Sequence, residues 1–173
     1  QRALDIGSAG VQVPQIETRV DAEQTVKAAK YAPLGMRGLS FYTRASDYAI
    51  YGIERLTDLL NQEQLVIVHV EGVRGLEHLD EIVQVPHIDV IFLGPYDLSQ
   101  SLGIPGQVGD PRVTEGMERA IERIRAAGKW AGTFAADGPT AKRWVAAGAQ
   151  YLSVGVDVGI FAAACRELRD SLS

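Results

Sequence analysis

At 173 residues, 46% of them hydrophobic, and with a net charge of −5, the chain is sized for one soluble domain with a substantial apolar core. The mild acidity and the lack of any Lys/Arg cluster argue against nucleic acid as a partner, and no apolar run approaches the roughly 20 residues of a membrane span. A single cysteine, Cys165 in "FAAACREL", leaves no disulfide framework within the chain; it is expected as a buried, inert thiol in a reducing cytoplasm. The opening "QRALDIGSAG" lacks a basic segment followed by an apolar one, so no secretory signal is read there, and a start without Met is expected of a fragment or a processed piece.

Short β-branched apolar runs alternate with helical patterns. The run "GVQVPQI" (10–16) precedes a helix over 18–31, which opens with a Thr18–Asp21 capping box and carries Val20, Val26 and Ala29 near one face. The loop 32–47 is long and rich in Gly, Pro and Ser, as functional loops often are. A helix over 53–61 leads to "LVIVHV" (65–70), and a helix over 74–85 leads to "IDVIFL" (88–93). The helix 110–129 has Val113, Met117, Ile121 and Ile124 at helical spacing, Pro111 near its start and Gly128 at its end. The run 129–135, a helix over 137–148, the run 151–156 and a helix over 158–172 complete the order.

Near-continuous apolar strands suit a parallel sheet covered on both faces, and the βα alternation predicts an α/β fold. Two architectures compete, a doubly wound open sheet and a (β/α)8 barrel, and the barrel needs eight units and typically about 250 residues. With five strands, either the sheet is open or residues 1–173 are a single domain forming a partial barrel without its first three units.

In both architectures ligands bind at the carboxyl ends of the strands. Those ends carry Gln15 and Glu17, then His69 and Glu71 in "VHVEG", Asp97 in "GPYD", Asp137, and Asp157. Asp137 and Asp157 each precede a helix and are expected as N-caps; Glu17 is expected to be solvated. His78 and His87 are isolated and expected at the surface. Glu71, His69 and Ile67 share one strand face by period-two alternation. A carboxylate and an imidazole there are costly unless paired, hydrogen-bonded or bound to metal. Asp97 is open to two readings, a cap of the short helix starting at "DLSQSL" or a ligand. With Glu71 it would make a hard, oxygen-rich site suited to Mg²⁺ or Mn²⁺. Free amides near Gly94–Asp97 could hold a substrate carboxylate. No Walker-type loop, dinucleotide GxGxxG, GxSxG elbow or Cys/His zinc set is found.

The stretches "GVQVPQIET", "LVIVHVEG", "LDEIVQVPHIDVIFLGPYDLSQSLGIPGQ", "DPRV" and "YLSVGVDVG" together resemble the HpcH/HpaI aldolase family, in its 2,4-dihydroxyhept-2-ene-1,7-dioate aldolase branch of aromatic catabolism. The resemblance runs across nearly the whole chain. It implies a (β/α)8 TIM barrel of which this chain supplies strands four to eight, and a cytoplasmic homo-oligomer, hexameric in the family, with the last helix exchanged between neighbours. It implies a class II aldolase that cleaves a 4-hydroxy-2-oxo acid to pyruvate and an aldehyde, with a divalent metal (Mg²⁺, Mn²⁺ or Co²⁺) held by Glu71 and Asp97. His69, Gly94, Tyr96 and Asp97 then face the substrate. His69 departs from the family, which usually has Gln there. The family's catalytic Arg and His belong to the first three units, so no catalytic residue is assigned within this chain, and neither Arg37 nor Arg44 matches those roles. Tyr42, Tyr96 and the loop 104–107 are candidates for aldehyde specificity. Two other readings stand beside the aldolase: a non-catalytic partial-barrel scaffold with exposed sheet edges, and a related malyl- or citramalyl-type acyl-CoA lyase, for which no long basic groove is visible.

Overall fold

The structure is a computed structural model and describes residues 1–50 and 53–172. Five strands, β1 (Gly10–Val13), β2 (Leu65–Val70), β3 (Val90–Leu93), β4 (Trp130–Ala135) and β5 (Tyr151–Val154), form one sheet. The sheet is parallel throughout and runs in sequence order, β1-β2-β3-β4-β5. Sequential order has no point where the strand order reverses, so the doubly wound alternative is set aside.

The sheet also curls. Four spacings of about 4.8 Å would separate its outer strands by roughly 19 Å if it were flat. Yet Tyr151 on β5 donates its hydroxyl to Gln12 Oε1 on β1 at 3.3 Å. The five strands therefore make part of a barrel wall, with an inner and an outer face.

The helices are α1 (Arg2–Asp5), α2 (Arg19–Ala29), α3 (Ile53–Glu63), α4 (Val73–Glu77), α5 (Leu79–Ile82), α6 (Pro95–Ser101), α7 (Pro111–Ala126), α8 (Gly138–Ala146) and α9 (Asp157–Asp170), with a 3-10 segment at Arg44–Ala49. The outer strand face, Val66, Val68, Val70, Ile91 and Leu93, packs with Val113, Met117, Ile121 and Ile124 of α7 and with Ala22, Val26 and Ala29 of α2. The inner face is a separate cluster of Ile67, Val90 and Phe92, joined by Phe134 and Tyr151.

Local expectations mostly hold. Thr18 and Asp21 form the capping box of α2, and Asp137 caps α8 by accepting the Thr140 N–H at 2.8 Å. His87 is exposed and His78 is half-buried; Glu17 is half-buried too, with its carboxylate reaching the surface to pair with Arg74. Several details differ. β1 stops at Val13 because Pro14 offers no N–H and Gln15 turns left-handed, φ 57°. The helix expected over 74–85 is two short pieces that meet at His78. Val20 is exposed, and the buried stripe of α2 is Ala22, Thr25, Val26 and Ala29. Asp157 is the first residue of α9 rather than its cap, with its carboxylate on the Val158 N–H. Cys165 is exposed, not buried, because α9 presents no buried residue at all.

The loop 32–47 has a structural role in its first half. The Arg37 guanidinium is buried, donates to Asp5 and to Gln64 Oε1, and stacks over Tyr31 at 4.5 Å. Gln64 directly precedes β2, so this cluster lies at the amino end of the strands. No helix among the described residues is long and apolar enough to cross a membrane.

Met117 and Ile121 are fully buried on α7. Truncating either to Ala should destabilise the fold by about 2–5 kcal/mol in urea unfolding, through lost transfer energy plus a cavity. Val20→Ala, on the exposed face of α2, should stay within about 0.5 kcal/mol of the parent.

Candidate active site

Parallel strands bring their carboxyl ends to one rim. There a cavity of about 630 Å³ is lined by Gln15 and Glu17 after β1, Glu71 and Gly72 after β2, and Asp97 and Ser101 on α6. The sequence singled out Glu71 and Asp97, and the fold brings both to this cavity.

Glu71 is nearly buried and its carboxylate is held on both oxygens. Oε1 accepts the backbone N–H of Gln15 at 2.9 Å, and Oε2 lies 3.4 Å from His69 Nδ1. The hydrogen bond from His69 holds the Glu71 carboxyl below its ordinary value; burial opposes this, and the Gln15 N–H reinforces it. Each oxygen has one donor, so each keeps lone-pair capacity for another partner. The left-handed Gln15 is the source of that N–H. Such a backbone is strained for a residue with a Cβ, and it persists where the surroundings over-determine it.

Gly94 gives the carboxylate its room. A Cβ on Gly94 would fall 2.7 Å from Glu71 Oε2 and 2.9 Å from Glu71 Cβ. The same glycine is the N-cap of α6, with no side-chain cap, and Pro95 opens the helix. Tyr96 and Asp97 therefore carry first-turn amides without intrahelical acceptors. Asp97 sits in the first turn and is not the cap, so the cap reading of its carboxylate fails. The Asp97 side chain is exposed, and among the described residues it has no hydrogen-bond or ion-pair partner. Tyr96 is half-exposed beside Phe134, with ring centroids 6.0 Å apart. Among the described residues no cluster of three or more His, Cys, Asp or Glu side chains is gathered.

His69 lies one step inward on β2. Its ring stacks on Phe92, centroids 4.5 Å apart, and its Nε2 is 3.1 Å from Gln12 Nε2. Sequence reading missed three supports of this rim. Gln15 is a partner of Glu71 through its backbone, which leaves no side-chain signature beyond the preceding Pro14. Ser101 accepts the Val73 N–H at 3.0 Å and ties the loop after Glu71 to α6. Buried Ser99 accepts the Gly106 N–H at 2.9 Å and pins the loop 104–107 onto α6.

A parallel, sequential, curled sheet with two carboxylates at its carboxyl rim places the chain in the α/β class, with its candidate site where such folds bind ligands. The family model for HpcH/HpaI aldolase/citrate lyase matches residues 1–164, and the chain belongs to that family. A 2-keto-3-deoxy-L-rhamnonate aldolase from Klebsiella pneumoniae is 40% identical over 162 residues, which is 93% of this chain and 60% of that protein. A hydroxypyruvate/pyruvate aldolase from Pseudomonas aeruginosa is 37% identical, covering 97% of this chain and 62% of that protein. The chain thus spans about 60% of the length of these curated relatives. Among solved structures, an HpcH/HpaI aldolase/citrate lyase family protein from Burkholderia cenocepacia superposes with a TM-score of 0.93 at 33% identity, covering 99% of this chain and 68% of that one. The citrate synthase SbnG superposes at 0.84 with 30% identity, covering 98% and 65%.

Gly94→Ala should push the Glu71 carboxylate off its two donors and cost about 1–3 kcal/mol, the usual range for overpacking. A crystal structure of the variant with Glu71 still on the Gln15 N–H would contradict the cradle.

Proposed function

We propose that the protein is a metal-dependent class II aldolase that cleaves a 4-hydroxy-2-oxo acid to pyruvate and an aldehyde, and that residues 1–173 correspond to strands four to eight of its TIM barrel. One observation carries the reading: a pre-held Glu71 and an unpartnered Asp97 line a single cavity at the carboxyl ends of parallel strands. The donor set fits a hard divalent cation. Two carboxylates, each with free lone pairs, leave the other positions to water and substrate oxygens, which is how Mg²⁺-type ions are commonly held.

Glu71 and Asp97 would hold Mg²⁺, Mn²⁺ or Co²⁺, which when bound supplies Lewis acidity toward the 2-oxo group and stabilises the charge that carbon–carbon cleavage leaves next to it. The chain's own residues do the positioning. The Tyr96 and Asp97 amides offer two N–H donors to the substrate carboxylate, and Gly94, by making room for Glu71, sets the metal-binding carboxylate beside them. His69 and Phe92 form the inner wall beneath the substrate. Lys129, at the amino end of β4, donates to the Ile88 carbonyl at 2.9 Å and is out of reach for a Schiff base at the opposite rim. The Arg and His that would stabilise the oxyanion and move the proton come, in this reading, from barrel units outside residues 1–173.

We also propose a cytoplasmic homo-oligomer. In support, α9 exposes Ile160, Phe161 and Leu168, an apolar set that a neighbouring subunit would cover.

In the full-length protein, pyruvate–aldehyde formation from a 4-hydroxy-2-oxo acid should vanish with EDTA and return with Mn²⁺. Glu71→Gln and Asp97→Asn should each lower kcat/KM by at least about 100-fold, the scale of losing a direct electrostatic contributor. Full activity in both variants would refute the assignment.

A further inference from the structure

The inner barrel face carries a polar chain that ends at Glu71 and runs beyond the residues assigned to the metal and the substrate. His69, Phe92, Gly132 and Tyr151 are register partners across β2, β3, β4 and β5, so they form one row. Gly132 leaves that row open: a Cβ there would fall 2.9 Å from Tyr151 Cδ1 and 3.1 Å from Phe92 Cδ2. Tyr151 therefore packs edge-on to Phe92, centroids 6.1 Å apart and planes at 75°. Its hydroxyl reaches Gln12 Oε1 at 3.3 Å, and Gln12 Nε2 reaches His69 Nε2 at 3.1 Å. His69 Nδ1 faces Glu71 Oε2 at 3.4 Å.

The hydrogens in this chain are fixed one by one. The Glu71 carboxylate only accepts, so a neutral His69 must carry its proton on Nδ1. Its Nε2 is then an acceptor, and Gln12 must turn its amide N–H toward it. That leaves Gln12 Oε1 facing Tyr151, which must donate. With the Gln12 amide reversed, its oxygen would call for a proton on Nε2, and the bare Nδ1 lone pair would point at a carboxylate.

We propose that Gln12 and Tyr151 are positioning residues for the active site: together they hold His69 as the Nδ1–H tautomer, aimed at Glu71. His69 then acts through Glu71 as the outer partner that orients a metal-binding carboxylate, a role such groups commonly fill around metal sites. The chain runs Tyr151 O–H to Gln12, Gln12 N–H to His69, His69 N–H to Glu71, across β5, β1 and β2. It gives a physical reason for a His at position 69: a ring pinned by Phe92 on one face and by Gln12 at its far nitrogen has one orientation to offer. The inference rests on the assignment of Glu71 as a metal ligand, but the tautomer itself does not.

The test uses full-length protein labelled with ¹⁵N-histidine, free of metal, with the His69 ring signals identified by their loss in His69→Gln. Long-range ¹H–¹⁵N spectra distinguish the two tautomers directly. The parent should show the Nδ1–H form. Gln12→Glu, which can only accept at that position, should switch His69 to a form protonated on Nε2, and Tyr151→Phe should give a mixture of tautomers. Gln12 is exposed, so its variants should fold; the Tyr151 change is close to isosteric. A parent in the Nε2–H form, or spectra unchanged in both variants, would overturn the proposal. Titration with Mn²⁺ alone adds the functional arm. Gln12→Leu should weaken Mn²⁺ binding about 10-fold, the lower end of the range for losing an outer-shell partner. Unaltered affinity would overturn the link from His69 to Glu71. A parent that takes up no Mn²⁺ refutes the metal assignment, while the tautomer spectra still decide the chain of hydrogen bonds.

Discussion

Glu71 ends a strand whose other residues are mostly apolar, and its side chain is only 11% exposed. A carboxylate in that position has to find donors or lose its charge. It finds one in the Gln15 N–H at the end of β1 and one in His69 on its own strand, and it fits only because position 94 at the end of β3 has no Cβ. Three neighbouring strand ends are therefore interlocked around one side chain. Parallel pairing in sequence order is what makes this possible, because it delivers all three ends to the same rim. The strained backbone of Gln15, the Gly-Pro turn at 94–95 and the placement of Asp97 all follow from that arrangement.

The two faces of the sheet divide the work. The outer face and its helices hold most of the buried aliphatic side chains. The inner face holds a few large residues and the polar row that leads to Glu71. Stability concentrated on one face leaves the other free to carry strained and polar groups. The opposite end of the strands is fastened separately: Arg37, Asp5, Gln64 and Tyr31 form a buried cluster there. Lys30 adds to it by donating to the carbonyls of Asn61 and Gln64 at the end of α3, and burial lowers its ordinary value.

Much of this was legible in the sequence. Apolar strands recur at regular intervals, and helices such as α7 carry an unbroken 3.6-residue stripe, so element type and order could be read directly. Glu71 stood out because charge at the end of "LVIVHV" contradicts its surroundings, and "GPYD" announced a turn with a carboxylate beyond it. What could not be read was long-range. The Gln12–Tyr151 contact joins residues at opposite ends of the chain, and only the curl of the sheet brings them together. Gln15 acts through its backbone, which no residue type encodes. Cys165 looked buried because "FAAAC" is apolar, but whether an apolar helix face is covered depends on what packs against it, and α9 has no buried residue here. The loop 32–47 had the composition of a functional loop, yet Arg37 spends its guanidinium on Asp5 and Gln64.

The most direct test of the central claim is a crystal structure of the full-length protein with Mn²⁺ and pyruvate. The account predicts one metal ion bonded to a carboxylate oxygen of Glu71 and one of Asp97, at about 2.0–2.3 Å, with Glu71 still accepting the Gln15 N–H. A metal ion bound elsewhere, or bound at this rim without Glu71 and Asp97, would contradict it.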